Sequence, residues 1–253
     1  MNISKFGRGN IFISLVVSLI ISHNAIANSE EATTLASQVT ELPINATRSA
    51  VDQSNPYLMI KGAAEQTFQR FAREQQAIQD NPNLLKDIVR EELMPYINYK
   101  YSAFKVIGTY LKKTTDEERR AFVPVFREYL VSSYAQVFTL YDNQVVNFSP
   151  ERTFEDKKIV AVNTSIIMPG RDNIDVAFKV RLNTKTKQWQ AFDMVAEGIS
   201  LLDSKQAELG SIIRQKGLPY VTELLKTKST RDIVFKNRAV KNENTTEKKE
   251  QQG

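Results

Sequence analysis

The sequence predicts an α+β fold, with helices in its first half and a β-meander in its second. Two observations carry this. From Asn55 to Tyr141 apolar residues recur at helical spacing between Asn-Pro and Thr-x-x-Glu start signals. From Val145 to Ser200 they alternate with polar residues, and no helix interrupts them. Strands that follow one another without intervening helices pair antiparallel, so the pattern is α+β and not alternating α/β.

Each helix has its own signal. Asn55-Pro56 is a cap followed by proline at the first helical position, with Ile60, Ala64, Phe68, Phe71 and Ile78 behind it. Asn81-Pro82 repeats the signal ahead of Leu84, Leu85, Ile88, Val89 and Leu93, and Pro95 ends that helix. A third helix carries Tyr101, Phe104, Ile107 and Leu111. Thr115 and Glu118 form a capping box for a fourth, which places Phe122, Phe126, Leu130, Tyr134, Val137 and Tyr141 on one broad face. Pro124 falls inside this helix and is expected to bend it, because proline removes a hydrogen bond and crowds the turn before it.

The strands follow. Val160, Val162, Thr164, Ile166 and Met168 share one face of an extended run. Ile174, Val176, Phe178, Val180 and Leu182 alternate with Asp175, Ala177, Lys179 and Arg181, the signature of a half-buried strand. Asn183 to Gln188 is a polar turn, Trp189 to Ser200 is expected as a third long strand, and Val145 to Phe148 as a short fourth. Ser204–Lys216 and Leu218–Lys226 are closing helices with Gly217 as the cap between them. A twisted sheet wrapped around long helices leaves a cone-shaped space, filled by side chains or by a ligand.

Four segments are expected. Residues 1–27 resemble a secretory signal: Lys5 and Arg8, the apolar run Ile11–Ile21, then Ala25-Ile26-Ala27. That run is 11 residues long, well short of the roughly 20 a spanning helix needs, so cleavage near Ala27 and export are expected. Residues 28–53 form a polar flexible leader, 54–228 the folded domain, and 229–253 a disordered charged tail. Removing residues 1–27 lowers the net charge from +5 to +3, with 32 basic residues against 29 acidic. Basic and acidic residues are interleaved, so no nucleic-acid footprint is present.

The composition also bears on chemistry. There is no cysteine, and the single histidine, His23, lies in the expected leader. The residue types that most often carry catalysis near neutral pH are therefore missing from the folded domain. No metal or cofactor is implied, since the usual nitrogen and sulfur ligands are absent and no calcium-loop motif occurs. The chain is instead 42% hydrophobic, with 13 Phe and 9 Tyr, a composition suited to holding an apolar molecule. Asp193 and Glu197 lie four residues apart on the expected third strand. They are read either as an acid–base pair or, preferably, as structural groups bonded to Arg127 or a backbone amide. Trp189 either lines the mouth of the space or plugs one end of the core.

Three segments resemble one family. Glu91–Ile97 (Glu-Glu-Leu-Met-Pro-Tyr-Ile) is similar to a Leu-Leu-Pro-Tyr-Val segment of periplasmic phospholipid carriers. Thr115–Phe122 followed by Phe126–Leu130 is a second match. Trp189–Leu201 resembles the block Trp-x-x-Tyr-Asp-x-x-x-Glu-Gly-x-Ser. The family is MlaC, also called the toluene-tolerance family, and the resemblance runs from about Asn55 to Lys228. Pro124 and Asn98 depart from its usual pattern. The resemblance implies an NTF2-like fold with an apolar cavity and a monomeric carrier that shuttles phospholipid to maintain outer-membrane asymmetry. It implies two partners, an inner-membrane ABC-transporter complex with an MlaD-type subunit and an outer-membrane lipoprotein–porin complex. On this basis the cavity is expected to be lined by Ile107, Leu111, Phe122, Phe126, Leu130, Tyr134, Val162, Ile166, Phe178, Val180, Trp189 and Met194. The alternative is an isomerase-type enzyme, because NTF2-like folds also use an Asp base with Tyr donors in an apolar cavity. Asp193 would be that base.

Overall fold

The computed structural model describes residues 50–235. The expected signal segment, nearly all of the leader and the tail beyond Phe235 lie outside the described residues. Within the described residues, 52–235 form one compact unit.

Helix α1 (Pro56–Arg73) is capped by Asn55, whose Oδ1 accepts from the Tyr57 and Leu58 N–H groups at 2.8 and 3.2 Å. The helical run continues after a break at Glu74 as the short α2 (Gln75–Asp80). The segment expected as one helix ending at Pro95 changes pitch twice. It is α-helical over Leu84–Ile88 (α3), π-helical over Val89–Leu93 and 3-10 over Met94–Tyr96. Pro95 has no N–H for the carbonyl four residues back, so the final turns re-space around that lost bond. Asn98 caps α4 (Tyr99–Ile107) by accepting from Tyr101 N–H at 3.1 Å. This helix stops earlier than the sequence suggests. Gly108 turns to φ 55°, and Leu111 lies on a 3-10 turn (Gly108–Lys113).

The capping box is present in α5 (Asp116–Phe138). Thr115 Oγ1 accepts from Glu118 N–H at 3.2 Å, and Thr115 N–H donates to Glu118 Oε2 at 2.8 Å. The helix runs on through Pro124, which sits on its exposed side.

Five strands form an open antiparallel sheet in sequence order: β1 (Val146–Phe148), β2 (Ile159–Ile166), β3 (Ile174–Asn183), β4 (Gln188–Ala196) and β5 (Ile199–Ser200). The single strand expected from Trp189 to Ser200 is thus a tight hairpin. Glu197 and Gly198 both take positive φ, 49° and 79°, as a two-residue turn that follows the sheet twist requires.

Helix α6 (Leu201–Ser229) is broken at Gly217 (φ 81°, ψ 166°), with Pro219 just beyond. Lys228 Nζ lies 3.9 Å from Glu208 Oε1. In a straight helix residues that far apart would be about 30 Å from each other. The two arms therefore fold back on one another, as the two expected closing helices would. Beyond them the packed chain continues past the boundary expected at Lys228, because Ile233 is buried in the core.

Helix α1 packs over β2 and β4, whereas α5 packs chiefly on α6, α4 and α3. The segment Ile97–Asn98 covers the free edge of β4: Ile97 forms a parallel bridge with Ala191, and Asn98 N–H donates to the Ala191 carbonyl at 2.7 Å. No helix among the described residues is long and apolar enough to cross a membrane.

Candidate functional site

The strand register decides which predicted residues meet. Val162 lies opposite Phe178, and Phe178 opposite Met194, so three of them form one row across β2, β3 and β4. The neighbouring rows are Val160–Val180–Ala191 and Thr164–Val176–Ala196, with Ile166 opposite Ile174 and Leu182 opposite Trp189. Directly opposed residues share a face, so the sheet carries one continuous apolar face. A bulge beside Lys179 and Val180 makes this possible. It leaves Phe192 as the extra residue, so Trp189 and Met194 share a face although they are an odd number of residues apart.

Exposure divides the twelve predicted residues into two sets. Ile107, Phe122, Phe126, Val162, Val180 and Trp189 are sealed from solvent. They are packed core: Phe122 and Phe126 stack with ring centres 5.5 Å apart. Trp189 is buried edge-on to Phe154, and its backbone N–H donates to the Gln53 carbonyl at 2.8 Å. Leu111, Leu130, Tyr134, Ile166, Phe178 and Met194 are only half-buried. In the central row, then, Val162 is closed off while Phe178 and Met194 remain reachable.

On the helical side, Leu130 and Tyr134 are one turn apart on α5. Tyr134 packs against a buried cluster that includes Phe71, Leu85, Ile88 and Val131, together with half-buried Leu93, Ile97 and Tyr99. Burial pushes the Tyr134 hydroxyl up to about 12, and the nearby Asp193 carboxylate adds to this. Sequence periodicity singled out Leu93 but neither Ile97 nor Tyr99, which follow the π and 3-10 turns over Val89–Tyr96 where the regular period is lost.

The carboxylates do not form an acid–base pair. Glu197 lies on the hairpin turn, where its Oε1 accepts from Asp175 N–H at 2.6 Å. Asp193, next to Met194 on β4, is buried. Its Oδ2 accepts from Lys179 Nζ (2.9 Å) and Ser200 Oγ (2.8 Å), and its Oδ1 from Leu202 N–H (3.0 Å). The expected backbone partner is therefore present, but the ion-pair partner is Lys179 and not Arg127. Arg127 instead pairs with Glu128 and lies over the Tyr99 ring. Both oxygens of the candidate base are engaged in joining β4, β5 and α6. No group of His, Cys, Asp or Glu among the described residues is arranged to hold a metal ion.

Three comparisons bear on this geometry. The sequence profile of the MlaC protein family matches residues 61–227. The intermembrane phospholipid transport system binding protein MlaC of Haemophilus influenzae is 32% identical over 190 residues, covering 75% of this chain and 89% of that protein. A phospholipid-binding protein from Ralstonia solanacearum, solved in complex with a phospholipid, superimposes with a TM-score of 0.61 at 17% identity, over 69% of this chain and 97% of that one. The fold is shared with that structure, and on the profile match and the extent of the sequence identity the chain belongs to the MlaC family.

Proposed function

We propose that this protein is a phospholipid carrier of the periplasm that holds acyl chains between the apolar face of the sheet and α5. The observation that carries this is the half-buried pair Phe178 and Met194, lying mid-sheet beside the sealed Val162. A row at the centre of an apolar face stays reachable only where side chains do not fill the space above it. The lining set is then Phe178, Met194 and Ile166 on the sheet with Leu130, Tyr134 and Leu111 on the helical side, and the sealed residues form the wall behind them. Two acyl chains carry about 30 methylenes, each worth roughly 0.8 kcal/mol on leaving water, so apolar contact alone suffices to hold the ligand and no dense polar site is needed.

The family and the relative's membership of an intermembrane transport system support the wider role. In that role the protein passes lipid between an inner-membrane ABC-transporter complex and an outer-membrane lipoprotein–porin complex, acts as a monomer, and is exported by cleavage near Ala27. The test is direct. Protein purified from a Gram-negative host without detergent is extracted and its bound molecules identified by mass spectrometry. Phospholipid near one molecule per chain is expected. Protein that is folded and lipid-free, and that takes up none from vesicles, would refute the proposal.

A further inference from the structure

Helix α5 carries one stripe that its surroundings leave partly open. Val123, Arg127, Leu130 and Tyr134 follow one another at intervals of four, three and four residues, so they line one side of the helix. All four are half-buried. The positions on either side of the stripe are sealed: Phe122, Phe126 and Tyr129 on one flank, Val131 and Ala135 on the other, none more than 3% exposed. Leu130 and Tyr134 belong to the helical lining of the space assigned to acyl chains. Arg127 lies one turn before Leu130 and is the charged member of the stripe.

The Arg127 side chain is 30% exposed. Its guanidinium lies over the ring of Tyr99, 5.8 Å from the ring centre, and Tyr99 packs on the same buried cluster as Tyr134. Stacking on a ring face leaves the rim of a guanidinium, which carries its N–H donors, available to bond in plane. Among the described residues, hydrogen bonding uses one of these donors: Nη1 donates to Glu128 Oε1. Glu128 Oε2 accepts from Arg90, which also donates to Asp87. One carboxylate is thus shared by two guanidiniums, and Arg127 keeps donors for a further anion.

We propose that Arg127 binds the phosphate of the carried lipid, with the acyl chains running from it past Leu130 and Tyr134. This rests on the carrier reading above. In-plane N–H donors of a guanidinium match the oxygens of a phosphate, and the apolar part of the stripe begins one turn further on. The partial exposure of Arg127 lets the rest of the headgroup remain in water. The acyl chains supply most of the hold, and this contact supplies selection. A phospholipid satisfies the remaining donors, whereas a neutral lipid with the same two chains does not.

To test this, the protein is exchanged against excess vesicles that hold phosphatidylethanolamine and diacylglycerol with identical chains, and both bound lipids are quantified by mass spectrometry. The unaltered chain is expected to favour the phospholipid by about tenfold over its share in the vesicles, the effect of a hydrogen bond to a charged group. Arg127→Gln, checked for cooperative melting, should abolish this preference while still loading with lipid. Arg120→Gln makes the same change of charge two turns away on an exposed side chain and should keep the preference. A folded Arg127→Gln protein that keeps it overturns the proposal. So does an Arg120→Gln protein that loses it equally, since net charge would then account for the selection. An unaltered chain that takes up both lipids without preference overturns the proposal and leaves the carrier reading standing, whereas one that takes up neither overturns both. Inorganic phosphate bound equally by lipid-loaded and lipid-free protein in calorimetry, and lost in Arg127→Gln, would assign the guanidinium to a free phosphate and likewise overturn the proposal.

Discussion

Tryptophan substituted at Met194 and at Val180 should have opposite effects, and the pair tests where the ligand space lies. Both side chains belong to the apolar face of the sheet, in adjacent rows. Val180 is 0% exposed, so added ring atoms there must push other side chains out of place. Overpacking of this kind costs about 1–3 kcal/mol. For a domain of this size each kcal/mol lowers the melting temperature by roughly 2–4 °C, giving a fall of about 2–12 °C. Met194 is half-buried, and an indole there projects into the space assigned to acyl chains. If it excludes about three methylenes, retention weakens by roughly 2.4 kcal/mol, or about fifty-fold, with little loss of stability. Melting by circular dichroism and the lipid-to-protein ratio after extraction are measured on both variants. A Met194→Trp protein that melts as early as Val180→Trp while keeping its full complement of lipid would refute the assignment.

Asp193→Ala removes the acceptor shared by Lys179, Ser200 and Leu202 N–H. Breaking a buried pair costs about 3–5 kcal/mol. Lys179 is 37% exposed, which reduces this to about 2–3 kcal/mol and a melting temperature lower by roughly 4–12 °C; a variant as stable as the parent would show the junction to be incidental. Thr115→Ala removes the capping box of α5 and should cost about 1 kcal/mol, read by urea denaturation as a lower midpoint with unchanged slope. Tyr134 is raised from 10.0 to about 12, so between those values the unfolded chain gives up its proton first and stability falls as pH rises. Tyr134→Phe should therefore flatten the loss of melting temperature from about pH 10 to about pH 12, and an identical alkaline slope in both proteins would contradict this.

The regular elements were legible in the sequence because local chemistry decides them. Asn55-Pro56 and Thr115-x-x-Glu118 satisfy helix-end donors within one turn, whatever surrounds them. The alternation in Ile174–Leu182 needs only one wet and one dry face. What the sequence did not disclose depends on neighbours. Trp189 to Ser200 reads as one strand because Glu197 is not a usual residue for positive φ, yet a hydrogen bond from Asp175 N–H holds it there. The helix before Pro95 reads as uniform because its hydrophobic spacing does not register a change of pitch. The site was half legible: periodicity finds which residues face inward, but packing decides which of these are sealed. Phe122 and Phe178 look alike in sequence and differ only in what lies opposite them. Ile233 reads as part of a tail because the stretch 229–253 is polar and mixed in charge as a whole, and the burial of Ile233 depends on Asn83 and Gln136, far away in sequence.

On the proposed function, a carrier must release what it holds, and this sets a limit on the site. Full burial of two acyl chains would yield about 24 kcal/mol by methylene counting, beyond the roughly 18–21 kcal/mol at which non-covalent affinities saturate. A protein that enclosed its lipid completely, and needed that lipid to complete its core, could not exist empty between two deliveries. The division between sealed and half-exposed residues avoids this. The stacked Phe122–Phe126 pair, the buried Trp189, the cluster around Phe71 and Val131, and the Asp193 junction all close without a ligand. The row at Phe178 and Met194, with Ile166 on the sheet and Leu111, Leu130 and Tyr134 on the helical side, is left partly open. Stability thus resides in one set of side chains and retention in another. It follows that lipid loading should raise the melting temperature only by mass action, in proportion to the logarithm of free ligand, and that the empty protein should still unfold cooperatively.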